Sequence, residues 1–308
     1  MRNHVMDELT KMAEYNDKIM LVTADLGFNV VEKFQKHYLD RYINTGIAEQ
    51  NMAAISAGLA LEGNMVFMYS IGNFPTLRCI EQIRNLICYH NANVKIIAVG
   101  GGFAYGSLGM THHATEDIAM MRALPNMQVF VPADSIEAVE CLKVMCSYDG
   151  PAYLRLARGG EQNIHEEYEE IDVNKCMEMK RASKEINIFA CGSILNEAVK
   201  LQNRIEEYGI DCGLYSIPCI KPIDSLGISN ILLNSKYALT MEEHNIIGGL
   251  GTSIAEIMSG LGSCTMLMRY GLNDTYTSEV GNQDYLRDFY GLNAEKIFTN
   301  LKTKVDWK

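Results

Sequence analysis

Short runs of β-branched and apolar residues alternate with longer stretches of helical periodicity along most of the chain, and this rhythm constrains the fold more than any other feature. Residues 19–23, 66–69, 94–99, 129–131 and 153–156 read as strands, each but the last followed by a helix candidate. A strand that returns through a helix lies parallel to the one before it, so the pattern predicts an α/β fold built on a parallel sheet. Asp134-Ser135-Ile136-Glu137 has capping-box spacing, with Asp134 placed to accept from the backbone and Glu137 to reach back, which predicts a helix over 135–147.

From Gly159 to Lys184 the chain turns polar and acid-rich, including Glu166-Glu167-Tyr168-Glu169-Glu170, with few residues able to fill a core. The division expected is a first domain over 1–165, a linker over 166–184 and a second α/β domain over 185–308. That second series has strands near 186–190, 213–217, 238–241 and 265–268 and a helix over 195–208. The whole chain, 308 residues of which 48% are apolar, is long enough for two cores.

Lys and Arg number 27 against 38 Asp and Glu, a formal charge of −11, which argues against nucleic acid or an anionic membrane as partner. Nine cysteines, scattered from Cys79 to Cys264 without a C-x-x-C pair, read as small apolar residues in a reducing compartment. The amino terminus runs directly into an amphipathic helix pattern, and no apolar stretch approaches the roughly 18 to 20 residues of a membrane span. The expected location is the cytoplasm.

Two segments carry chemistry. In Tyr42 to Met52 a strand is expected to end, Gly46 to turn the chain, and a helix rich in small residues to begin with Glu49 in its first turn, between apolar Ile47 and Met52. A carboxylate there can simply complement the helix dipole; burial favours its protonated form and the dipole its ionised form. The second segment is Gly100 to Asp117, a glycine-rich connection after the strand 94–99, where parallel sheets place their ligand sites. It has neither Walker nor dinucleotide spacing, and His112-His113 lacks a second ligand cluster that would argue for metal.

Gly46-Ile47-Ala48-Glu49-Gln50, followed by Met52-Ala53-Ala54, resembles the pyrimidine-domain signature of transketolases. Gly109-Met110-Thr111-His112, with Glu116 to Ala119 and Arg122 to Met127, resembles the same family's Gly-x-Thr-His region, and Met241 to Gly251 resembles its C-terminal domain. The resemblance spans essentially the whole chain. It implies a thiamine-diphosphate-binding, pyrimidine-type parallel-sheet domain followed by a smaller transketolase C-terminal-type α/β domain.

The resemblance also implies roles. Glu49 would hydrogen-bond a ring nitrogen of the thiamine aminopyrimidine and activate the cofactor. Phe67 to Tyr89, where Phe74 precedes a helix containing Arg78, Glu81-Gln82-Ile83-Arg84 and Tyr89, is a further match to the family; by it Phe74 would stack on that ring, although on its own residues an aromatic there is more often core. Asp25, Leu26 and Ile71 would line the cofactor pocket. His112 would handle sugar oxygens by hydrogen bonding or proton relay, with His113 and Asn29 as further substrate candidates. Arg158 and Arg2 would bind a substrate phosphate, and His244 would contact the C-terminal interface.

The sequence departs from the family pattern in two places. At the cofactor pocket Ile71 and Leu77 stand in place of aromatics, which implies a more aliphatic lining; at the substrate end Leu108 stands in place of an aspartate, Gly100 or Gly101 in place of a histidine and Asn29 in place of a serine. The substrate-end changes point to an unusual or unphosphorylated sugar. The Gly-Asp-Gly motif that holds the diphosphate through a divalent metal belongs to an N-terminal domain with no match in this sequence. The implied partner is therefore a separate N-terminal-half subunit carrying Mg2+ or Ca2+, in an α2β2 heterotetramer.

The activity implied is transfer of a two-carbon ketol unit from a ketose or its phosphate to an aldose. Two rivals stay open. A beta subunit of a 2-oxo acid dehydrogenase shares the fold and the activating glutamate, and a scaffolding subunit could keep the fold without turnover.

Overall fold

The computed structural model describes residues 1–166 and 171–305. Residues 167–170, which hold most of the acidic run assigned to the linker, lie outside the described residues.

The first sheet has seven strands in the order β10-β5-β6-β4-β3-β1-β2, formed by β1 (Ile19–Thr23), β2 (Tyr42–Asn44), β3 (Met65–Ile71), β4 (Val94–Val99), β5 (Gln128–Phe130), β6 (Ala152–Leu156) and β10 (Cys219–Lys221). All pairings are parallel except that of β10 with β5. Every residue of β4 and β6 is buried, as expected where helices cover both faces of a parallel sheet. One face packs against Val5, Leu9 and Ala138 to Met145, from the helices Arg2–Tyr15 and Ser135–Ser147. The other packs against Met52, Ala53 and Ala57 of the helix Glu49–Leu61.

The second sheet has five strands in the order β12-β11-β8-β9-β7, made of β7 (Met177–Lys180), β8 (Ile186–Cys191), β9 (Cys212–Ser216), β11 (Tyr237–Asn245) and β12 (Met266–Leu272). Only β7 is antiparallel to its neighbour. Strand β7 falls inside the stretch read as linker, and β10 lies outside every expected strand. At four and three residues respectively, both are too short for a period to show.

β10 leaves the second unit and pairs with β5, and one hydrophobic cluster runs through both units, joining Val129 and Tyr153 to Phe189, Ile217 and Leu250. The two sheets are thereby packed through a shared apolar core rather than tethered by a loop.

The predicted cap at Asp134 forms, its carboxylate accepting from the backbone of Ile136 and Glu137. Glu137 does not reach back to Asp134. It accepts from the Ala133 N–H at 2.6 Å and from the Ser216 hydroxyl at 2.6 Å, because the buried helix start faces β9 and that hydroxyl needs an acceptor. His244, expected at an interface with another chain, is fully buried within this one. Its Nδ1 donates to the Asn245 carbonyl at 2.6 Å and its Nε2 accepts from the Ala119 N–H at 3.4 Å. All nine cysteines are free thiols, six of them buried.

Candidate active site

Neighbouring strands β6, β4, β3, β1 and β2 run parallel, so their carboxyl ends form one edge, and most of the residues singled out in the first domain emerge there. Arg158 follows β6, Gly100–His112 follows β4, Phe74 follows β3, Asp25 and Leu26 follow β1, and Glu49 follows β2.

After β2 the chain turns at Gly46, whose φ of +71° is left-handed. The Asn44 side chain organises this turn, its Oδ1 accepting from the N–H groups of Gly46 at 3.0 Å and Asp25 at 2.9 Å. Asp25 itself has φ of +52°, uncommon for a residue with a side chain, and is exposed at the strand end.

Glu49 opens the helix Glu49–Leu61 and is only 3% exposed, although its neighbour Ile47 is 80% exposed. Glu49 is therefore buried by tertiary packing and not by an apolar stretch around it. Its Oε2 accepts from Arg78 Nη1 at 2.8 Å. The same guanidinium lies over the Phe74 ring, 4.6 Å from the ring centre. His112 also meets Phe74, edge-on, with ring centroids 5.3 Å apart. Glu49, Phe74 and His112 are thus gathered at one place by elements 25 and 38 residues apart (74 − 49 and 112 − 74).

The Arg78 guanidinium is a flat, proton-donating group held between a carboxylate and an aromatic face. Those are the two contacts an aminopyrimidine ring requires, a hydrogen-bond acceptor for its ring edge and a face for stacking. Arg78 is nearly half exposed, so it can leave. The residues of this chain fit the pyrimidine end of a thiamine cofactor.

An open cleft of ≈ 470 Å³ continues from this point, lined by Asn73, Phe74, Met110, Thr111, Glu116 and Tyr276, among others. Burial raises the Glu116 carboxyl above its ordinary range. His112 is half-buried and its Nδ1 pairs with the Thr111 hydroxyl at 3.0 Å.

His113, by contrast, is buried and has both ring nitrogens engaged, Nδ1 with the Thr277 hydroxyl and Nε2 with the Gly106 carbonyl. Burial pushes its titration down, which keeps the imidazole neutral. Arg158 is exposed and stands over Tyr105, and Arg2 is half-buried with its charge acting on the buried phenol of Tyr69. Asn29 is exposed at φ of +60°, its N–H donating to Glu32 at 2.7 Å. Leu26 and Ile71 are half-buried at the ends of their strands. Among the described residues, no three His, Cys, Asp or Glu side chains gather as a metal site would.

Sequence reasoning assigns no role to Arg78, Asn73, Tyr276 or Thr277. Arg78, Asn73 and Thr277 each bond a residue 29 to 164 positions away, a partner that no local pattern names.

Residues 1–161 match the family model for the transketolase pyrimidine binding domain, and residues 176–297 match that for the transketolase C-terminal domain. A protein of Methanocaldococcus jannaschii named for a transketolase C-terminal section is 36% identical over 99% of this chain and 96% of its own. An apulose-4-phosphate transketolase subunit of Actinobacillus succinogenes is 32% identical over 91% of this chain and 90% of its own. A solved structure described as a split gene transketolase, inactive beta4 tetramer, is 33% identical and matches with a TM-score of 0.87 over 98% of this chain and 96% of that one.

Proposed function

The chain belongs to the transketolase family, and from that premise we propose that it is one subunit of a two-chain, thiamine-diphosphate-dependent transketolase moving a two-carbon ketol unit from a ketose or its phosphate to an aldose. The observation that carries this reading is the Glu49 carboxylate and Phe74 ring already clasping a flat donor, with His112 edge-on beside them.

Bound thiamine diphosphate would supply the carbanion-stabilising chemistry of the reaction. Glu49 would hold a proton against a nitrogen of its pyrimidine ring, Phe74 would stack on that ring, and Asp25, Leu26 and Ile71 would close the pocket. His112, whose Nδ1 is occupied by Thr111, has Nε2 left to serve sugar oxygens. Arg158 and Arg2 would take the far, anionic end of a substrate, with Asn29 as a further substrate contact. His113 has no ring nitrogen to spare and would act by holding the loop.

The diphosphate and its Mg2+ or Ca2+ would be held by an N-terminal-half subunit in an α2β2 heterotetramer in the cytoplasm. Support for a partner comes from the Actinobacillus relative, which is named as one subunit of its enzyme, and from exposed apolar side chains near the site, Phe28, Ile47, Leu108 and Met110. The Thr111-His112 motif and the family matches favour this reading over a 2-oxo acid dehydrogenase subunit.

The test is to purify the chain alone and with its N-terminal-half partner and to assay both against free and phosphorylated ketoses. Turnover should need both chains, and Glu49→Ala should abolish it in the complex. Full turnover by the lone chain overturns the two-chain reading, and an unaffected Glu49→Ala complex leaves only scaffolding.

A further inference from the structure

The segment 273–282, between β12 and the helix Gln283–Phe289, crosses from the second unit onto the glycine-rich loop of the first. Thr277 meets His113 at 2.5 Å, the Gly281 N–H donates to the Gly106 carbonyl at 3.4 Å, and Tyr276 lines the cleft. The Gly106 carbonyl can only accept, so His113 Nε2, 3.1 Å away, carries the proton. Nδ1 is then the acceptor, and the Thr277 hydroxyl donates to it.

His113 is the neighbour of His112, and its backbone is pinned as well. Asn73 Nδ2 donates to the carbonyls of Thr111 at 3.2 Å and His113 at 2.8 Å, on either side of His112. The Phe103 ring packs edge-on to His113 and stacks on Tyr290, whose hydroxyl accepts from the Ser278 N–H at 2.9 Å. At Gly102 a Cβ would collide with Glu243 of the second unit, and the Glu243 carboxylate accepts from the Phe103 N–H at 2.5 Å. The loop that carries His112 is therefore held on one side by β3's extension and on the other by the C-terminal domain.

We propose that Thr277 is a positioning residue for His112, acting through the neutral imidazole of His113, so that the C-terminal domain sets the geometry with which the site meets its sugar. The inference rests on the function proposed above. Thr277→Val keeps the side-chain shape but leaves the buried Nδ1 without a donor, and the loop has to open to water to satisfy it.

The experiment uses the two-chain complex and reads hydrogen exchange together with steady-state kinetics. In Thr277→Val, exchange of the amides over 106–113 should rise about tenfold and kcat/KM for the ketose should fall about tenfold, with thiamine diphosphate affinity unchanged. Thr277→Ser should restore both. Tyr290→Phe, which frees the Ser278 N–H, should loosen 273–282 and 106–113 together even where Thr277→Val folds poorly.

Unchanged exchange over 106–113 in both variants overturns the proposal, as does a loosened loop with unaltered kcat/KM. If the unaltered complex transfers no ketol group, the functional reading fails by itself, and exchange alone decides whether the segment holds the loop.

Discussion

The Glu49 carboxylate and the Arg78 guanidinium meet at 2.8 Å, one 3% and the other 48% exposed, with the guanidinium spread over Phe74. One long, half-solvated side chain thus satisfies a buried acid and covers a stacking face at the same time. A ligand that needs both must displace it, and its apparent affinity is lowered by the fraction of molecules in which Arg78 is in place.

Arg78→Ala should therefore tighten thiamine diphosphate binding to the two-chain complex severalfold, because the competitor is gone and the buried acid lacks its pair. Calorimetric titration of the complex measures this. Weaker binding would mean that Arg78 itself holds the cofactor.

Ile47→Asp should prevent assembly with the partner while leaving this chain folded. Ile47 is 80% exposed beside buried Glu49, so a charge there costs the free chain no more than about 0.5 kcal/mol but is buried on docking. Size-exclusion chromatography of the mixture and thermal melting of the lone chain separate the two effects.

Asp117→Ala should destabilise the protein by about 3–5 kcal/mol. The Asp117 carboxylate accepts from Arg155 Nε at 2.8 Å and from the Tyr153 hydroxyl at 2.5 Å, while Arg155 Nη2 spans the Ala114 and Glu243 carbonyls of the two units. Removing the acid leaves a guanidinium charge buried between sheets. Denaturant unfolding gives the difference, and Asp117→Asn should cost less because it keeps an acceptor.

Glu137 should make the fold less stable as pH rises. Burial pushes its carboxyl up to about 7, against the pull of the Ser216 hydrogen bond, nearby His165 and the Ala133 N–H, with Asp134 close by adding to the rise. The folded pKa is above the unfolded value of 4.5, so the native state keeps a proton that the unfolded chain has lost. That contribution is complete below about 4.5 and is lost on approach to about 7. Glu137→Gln should gain on the unaltered protein by a few kcal/mol across this window, read as the difference between their urea-unfolding curves at each pH. A constant difference would show that Glu137 does not titrate there.

Much of the architecture was legible because it is local. The strands at 19–23, 94–99 and 186–190 and the helix 135–147 follow from runs and caps within a dozen residues. The partners of those elements were less legible. Glu137 has the spacing to close its own helix, yet it turns to Ala133 and to Ser216, 79 residues on, because a buried hydroxyl competes for it. Strand β10 carries no period of its own and forms because β5 offers an open edge.

At the site, the order of motifs along the chain was enough to place Glu49, Phe74 and His112 beyond the carboxyl ends of neighbouring strands, since a parallel sheet brings those ends to one edge whatever the loops contain. The sequence by itself thus determined the fold class and the sheet edge at which the candidate residues gather. Only the tertiary structure decided that Glu49 is buried beside an exposed Ile47, that Arg78 pairs with it over Phe74, and that Thr277 of one unit steadies His113 of the other. Those outcomes depend on burial and on single hydrogen bonds between residues far apart in the chain, and no pattern of neighbouring residues encodes which distant group will arrive.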